Sequence, residues 1–379
     1  MKKLIGLLIA ALLVWCTGVL GAEKSCPRAD YYAEVNRKLA EIASICASGE
    51  TAYNQNDLTR AWCCFTEALD AIDALEKENP GCANDISAEV GVARKKVENL
   101  FAEKFNYGQE SPDKLLVLLV GQSNMAGRGY AGEDDLTLSP NLLMIRPDFR
   151  WQPAVDPVTR DRYVVGLFDS AKKKIKLKDP YGIVLPGKGE KICGVGMGRT
   201  FGKLLLAANP GKTVGLIPCA VGGTSVLAWT PGAVDPSDKT IYPYDQAIAK
   251  AREAQKSGKI VAILWHQGES DAARHTPEYR EKLQTIIANF RRDLNLGAEV
   301  PFIAGEIVDF NPEKNQGSYE IINQALAEIA QADSSFRLVK LQGMHHRGDK
   351  LHFDTASYHE MGKRYFDAYQ KFQQERNAK

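Results

Sequence analysis

The 379 residues carry 48 lysines and arginines against 47 acids, for a net charge of +1, and 44% of them are apolar. A chain so evenly charged lacks the basic field that recruits nucleic acid or an anionic membrane surface, and its apolar content suffices for a globular core. The length allows two or three domains, and a neutral small molecule or sugar suits the charge balance.

The chain opens with Lys2 and Lys3, an apolar stretch at 4–14 and the small pair Gly21-Ala22. This is the pattern of a secretory signal peptide cleaved near Ala22, so a secreted or periplasmic protein is expected. The apolar core falls short of the about 20 residues that a bilayer requires, and no membrane span is expected. Cys16 suggests a lipid anchor, but Trp15 before it is bulkier than such a site takes, which favours cleavage.

Of eight cysteines, Cys26, Cys46, Cys63, Cys64 and Cys82 crowd the next stretch. In an oxidising compartment they predict one or two disulfides stapling a small unit. Between 29 and 105 three apolar stripes predict helices: Val35, Leu39, Ile42 and Cys46; Leu58, Trp62, Phe65, Leu69 and Ile72; Ile86, Val90, Val97 and Leu100. Breaks fall at 54–57, where Asp57 can cap, and at 79–81. A helical, disulfide-stapled domain at 23–107 follows, with packing, linkage or protein-partner contact as its role. A polar stretch at 107–113 separates it from the rest.

From 114 the texture becomes strand, loop, helix. Six branched residues, Leu115 to Val120, predict a strand buried on both faces that discharges into Gly121-Gln122-Ser123-Asn124-Met125-Ala126-Gly127. Ligands of open α/β sheets bind at such carboxyl ends, so Ser123 is a candidate nucleophile and Asn124 a candidate substrate contact. The competing reading makes Ser123 a helix cap. Further on, Gly194-Val195-Gly196-Met197-Gly198-Arg199 has the look of a nucleotide loop. A dinucleotide fingerprint needs glycine where Arg199 stands and a preceding strand that the Lys-rich stretch hardly supplies, so a helix start is expected instead.

Strands are predicted at 213–217, 260–265 and 301–307, and helices at 244–255, 277–294 and 318–332. This alternation favours a parallel sheet in one α/β domain at 114–379. After the strand at 213–217, Gly222 and Gly223 let backbone N–H groups approach a ligand, while Cys219 reads as a small hydrophobe and Trp229 as a sugar wall or core residue. His266-Gln267-Gly268-Glu269-Ser270-Asp271 ends the next strand, and so many polar groups at an apolar strand end are costly without a use or a satisfied network. Gln267 can donate to an oxyanion and Glu269 can orient a histidine or ligand. Asp349 and His352, three apart, can meet so that the acid fixes the imidazole. His345 and His346 beside them lack carboxylates at metal-ligand spacing, and no metal is expected.

Together these segments resemble the sialate O-acetylesterase and acetylxylan esterase family of carbohydrate esterases (family six), a branch of the SGNH hydrolases. The resemblance covers about 114–369 and excludes the helical region. It implies a three-layer α/β/α, flavodoxin-like fold with a parallel sheet, with Ser123 as nucleophile and His352 as base. Asp349 or Glu269 would orient His352, and the choice between them stays open. The oxyanion hole would combine the Ser123 N–H, an N–H at Gly222 or Gly223, and the Gln267 amide. The implied chemistry is two-step acetyl transfer from an acetylated carbohydrate, with no cofactor. Set against it are an inactive carbohydrate-binding or scaffold protein on the same fold, and a general short-chain esterase.

Overall fold

A computed structural model describes residues 29–78, 86–105, 113–139, 141–159 and 190–378, with residues 167–168, 174–175, 183 and 185–186 between them. The expected leader, with Cys16, and Cys26, Cys82, the break at 79–81 and the stretch at 107–112 lie outside these residues.

The helical unit contains α1 (Ala29–Asn54), α2 (Leu58–Glu78) and α3 (Ile86–Phe105). Asp57 Oδ1 accepts the Arg60 N–H at 3.0 Å, satisfying a first-turn donor of α2. Val35, Leu39 and Ile42 of α1 pack on Ile72 and Leu75 of α2 and on Val90 and Val97 of α3. Beyond this stripe, Trp62, Phe65, Phe101 and Phe105 form an aromatic cluster, with Trp62 and Phe101 tilted at 4.3 Å and the other pairs edge-to-face at 5.2–6.2 Å. The expected staple does not run through Cys46, Cys63 or Cys64, which carry free thiols. Neighbours on one helix, Cys63 and Cys64 project in different directions, and Cys63 Sγ lies 3.7 Å from the Ile183 carbonyl, which groups with this unit. Burial pushes the Cys63 thiol up to about 12 and that of Cys46 to about 11.

In the second unit a seven-stranded sheet contains β1 (Lys114–Gly121), β2 (Leu142–Ile145), β3 (Trp151–Pro153), β4 (Val214–Pro218), β5 (Gly258–His266), β6 (Phe302–Gly305) and β7 (Phe336–Val339). The order is β7-β6-β5-β1-β4-β2-β3, and every pairing is parallel except that of β3 with β2. Five helices cover it: α4 (Met197–Ala207), α5 (Pro243–Gln255), α6 (Tyr279–Leu294), α7 (Ser318–Ala332) and α8 (Thr355–Asn377).

The period-2 geometry of a strand explains the apolar run of β1. Leu116, Leu118 and Val120 enter the core shared with α5, α6 and α7, whereas Val117 and Leu119 enter the core shared with α4 and α8. The fold is therefore a three-layer α/β/α, flavodoxin-like arrangement. A smaller antiparallel sheet joins Gly129–Tyr130, Lys191–Val195, Leu167–Phe168 and Lys174–Ile175. Among the described residues no helix is long and apolar enough to cross a membrane.

From β1 the chain builds one side of the sheet through β2 and β4, then the other through β5, β6 and β7. The end of β1 is thus the switch point at which such sheets leave a crevice. There Gly121 has φ +134°, and a Cβ on it would lie 2.1 Å from the His266 carbonyl oxygen. Gly121→Ala is expected to destabilise the protein by at least about 2 kcal/mol through strain and collision, measured by urea unfolding.

Candidate active site

Beyond Gly121 the Gln122 N–H still donates to the His266 carbonyl at 2.9 Å, but the Gln122 carbonyl turns to accept from Met125 and Ala126. This closes the one-turn helix Ser123–Ala126, in which Gln122 takes the cap position and Ser123 the first helical one. Ser123 is therefore not the cap. Its Oγ lies 3.1 Å from His352 Nε2.

His352 stands on a loop closed by the His346–Phe353 bridge, and its Nδ1 meets Asp349 Oδ2 at 2.7 Å. Asp349 Oδ1 accepts the backbone N–H groups of Leu351 and His352, and Oδ2 also accepts Arg347 Nε at 2.7 Å. Burial alone would raise the Asp349 pKa, but the His352 backbone and ring and the Arg347 guanidinium overcome it and hold the carboxyl well below its usual range. Being an acceptor only, the carboxylate fixes a proton on Nδ1 and leaves the Nε2 lone pair facing Ser123. Burial, with Arg128 and Arg347 nearby, lowers the His352 pKa despite the opposing pull of Asp349.

Between the two acids left open above, Asp349 is the partner of His352. Glu269, 3% exposed, reaches Asn124 Nδ2 at 2.5 Å and stands 3.3 Å from His266 Nε2. Burial pushes its pKa up, but His266 and Asn124 outweigh that and lower it. Asn124, expected to touch substrate, is 1% exposed and has its amide engaged with Glu269, Leu351, Phe353 and Tyr358.

Two further expectations are corrected. Trp229 is fully buried, donates Nε1–H to Thr224 Oγ1 at 3.1 Å and packs edge-on against Trp265, so it is core and not a sugar wall. Gln267 directs its amide N–H groups at the Thr224 carbonyl and at Asp271 Oδ2, with Gln122 Oε1 at 3.3 Å. Those protons are committed to a buried network and do not face an oxyanion.

The glycine turn lies beside β1, since the Val221 N–H donates to the Gly121 carbonyl at 3.0 Å. Gly222 is buried there, and Gly223 is exposed with φ +76°. The residue that anchors this turn is one to which the sequence alone assigns no role. Fully buried Asp271 accepts from Ser225 Oγ at 2.6 Å and the Val226 N–H at 2.9 Å. Its place in the first turn of the short helix Glu269–Arg274, just after the strand end, is the available signal.

The glycine-rich segment at 194–202 begins α4, as expected. A strand does precede it, contrary to expectation, but belongs to the small antiparallel sheet. Gly196 meets Gly127, where a Cβ would stand 2.5 Å from the Gly196 nitrogen. Arg199 is buried and donates to the carbonyls of Ala154, Asp134 and Thr137. A cavity of about 380 Å³ at the carboxyl ends of β2 and β4 is walled in part by Arg146, Phe149, Cys219 and Lys250.

A serine, a histidine and an aspartate thus stand in one hydrogen-bonded line at the carboxyl edge of a parallel sheet on this three-layer fold, the parts from which serine hydrolases in general are built. Residues 113–371 match the family described as carbohydrate esterase, sialic acid-specific acetylesterase, and the chain belongs to that family. A probable carbohydrate esterase from Arabidopsis thaliana is 29% identical over 277 residues, 68% of this chain and 91% of that one. The X-ray structure of an Arabidopsis thaliana protein matches with a TM-score of 0.53 at 25% identity, covering 69% of this chain and 99% of its own. The crystal structure of NanS has the same fold, with a TM-score of 0.52, 17% identity and coverage of 70% and 99%.

The histidine geometry yields a direct check. By NMR titration the His352 ring is expected to take up its proton below the ordinary histidine pKa, and Arg347→Met is expected to move that midpoint upward by removing a nearby positive charge.

Proposed function

We propose that the protein removes acetyl groups from acetylated sugars of the sialic acid or xylan type through a serine acyl-enzyme. The observation that carries this reading is the continuous line from Ser123 Oγ to His352 Nε2 at 3.1 Å and from His352 Nδ1 to Asp349 Oδ2 at 2.7 Å. Membership of the carbohydrate esterase family supports the substrate class.

Ser123 Oγ attacks the acetyl carbonyl carbon as His352 Nε2 takes the hydroxyl proton. Asp349 holds the resulting imidazolium, and the backbone N–H groups of Ser123 and of Gly222 or Gly223 stabilise the oxyanion. Collapse breaks the ester C–O bond, and His352 returns its proton to the departing sugar oxygen. Water, deprotonated by the same nitrogen, then attacks the acetyl-serine, releasing acetate and restoring Ser123. The route draws on no cofactor. In this reading the chain is exported behind a leader at 1–22, with a helical domain at 23–107 ahead of a catalytic domain at 114–379.

Release of acetate from a panel of acetylated sugars tests the proposal. Ser123→Ala is expected to lower the rate by at least about 1000-fold, and Asp349→Asn by roughly 10³- to 10⁴-fold by disturbing the imidazole tautomer. Undiminished release by Ser123→Ala, or a preference for long acyl chains, would overturn it. A second measurement is the pH profile. His352 accepts a proton only when neutral, so kcat/KM should fall with decreasing pH, with a midpoint below the ordinary histidine pKa.

A further inference from the structure

The loop that carries His352 and the turn that carries Ser123 are far apart in sequence, and one buried side chain joins them. Asn124, next to Ser123, donates Nδ2–H to the Leu351 carbonyl at 3.2 Å and accepts the Phe353 N–H at Oδ1, at 3.4 Å. Leu351 and Phe353 are the two neighbours of His352. The amide thus grips the base from both sides.

Both bonds depend on which way the amide faces. Turned by 180° about its last torsion, Asn124 would oppose oxygen to the Leu351 carbonyl and N–H to the Phe353 N–H. Glu269 decides the matter, because a carboxylate only accepts and its Oε1 lies 2.5 Å from Nδ2. Tyr358 adds a hydroxyl proton to Oδ1 at 2.8 Å. Behind Glu269, His266 is held through Nδ1 by the Tyr365 hydroxyl oxygen at 3.2 Å, whose own proton goes to the Trp265 carbonyl at 2.8 Å.

From this geometry we infer that Asn124 is a positioning residue that locks the His352 loop to the nucleophile turn, and that Glu269 sets the amide orientation that makes the lock. The inference rests on the reading of Ser123 as nucleophile. It assigns Asn124 no contact with substrate and Glu269 no contact with His352.

The test pairs steady-state kinetics with the rate at which a fluorophosphonate probe labels Ser123, using the full chain. A displacement of the base by an ångström or less costs up to about 100-fold, so Asn124→Ala is expected to lower kcat and the labelling rate by about 10- to 100-fold, with KM within about twofold. Glu269→Gln keeps an acceptor for Nδ2 and is expected to stay within about fivefold of wild type, whereas Glu269→Leu should follow Asn124→Ala. If Asn124→Ala does not fold, Tyr358→Phe removes only one donor from Oδ1, and a loss of about 3- to 10-fold in kcat at constant KM is expected. A raised KM with unchanged kcat in Asn124→Ala would overturn the inference in favour of substrate contact. Equal loss in Glu269→Gln and Glu269→Leu would overturn it in favour of a direct role for the carboxylate. Wild type labelled no faster than Asn124→Ala overturns the lock alone, and wild type that releases acetate but takes no label overturns the nucleophile reading and the lock with it.

Discussion

The site depends on how β1 ends. At Gly121 the backbone is squeezed between two neighbours, with the Val221 N–H donating to its carbonyl from one side and the His266 carbonyl receiving the Gln122 N–H on the other. Two hydrogen bonds to adjacent strand ends bring the serine turn, the glycine turn and the His266–Asp271 segment to one point. No side chain fits at Gly121, because the His266 oxygen already occupies the space. The chemistry is a consequence of backbone register before it is one of side chains.

Three acids cluster around that point, and each has a separate attachment. Asp349 grips the imidazole and Arg347, Glu269 grips Asn124, and Asp271 grips the glycine turn. Buried carboxylates are tolerated only where donors surround them, and here the donors belong to the parts that must stay in register. Asp349 alone is partly open to solvent, at 33% for its side chain, and it alone touches His352. The other two stabilise geometry from within the core.

Much of this was legible in the sequence. The six branched residues of β1 could only be a strand covered on both faces, and the serine after them stood where ligands gather. The Asp-x-x-His spacing placed Asp349 and His352 within reach of each other. What the linear pattern did not disclose was the choice among partners. It showed that His266, Gln267, Glu269 and Asp271 were too polar to be idle, but a strand end offers several neighbours, and only the fold reveals that Glu269 meets Asn124 while Gln267 meets Thr224 and Asp271. Trp229 was equally open, since an indole can line a pocket or fill a core, and its contact with Trp265 decides the question. The three helical stripes were readable, but spacing alone did not reveal that Cys46, Cys63 and Cys64 stay unbridged.

The central place of β1 also bears on synthesis. Of the seven strands of the main sheet it is made first, yet its two neighbours are β4 and β5, the nearer of which pairs Val214 with Leu115, about a hundred residues later. The most apolar segment of the unit therefore leaves the ribosome long before its partners exist, and His352 follows later still, 229 residues after Ser123. The nascent chain must shield a sticky strand while waiting for its neighbours. Ser123 meets His352 only after the whole stretch between them has been made.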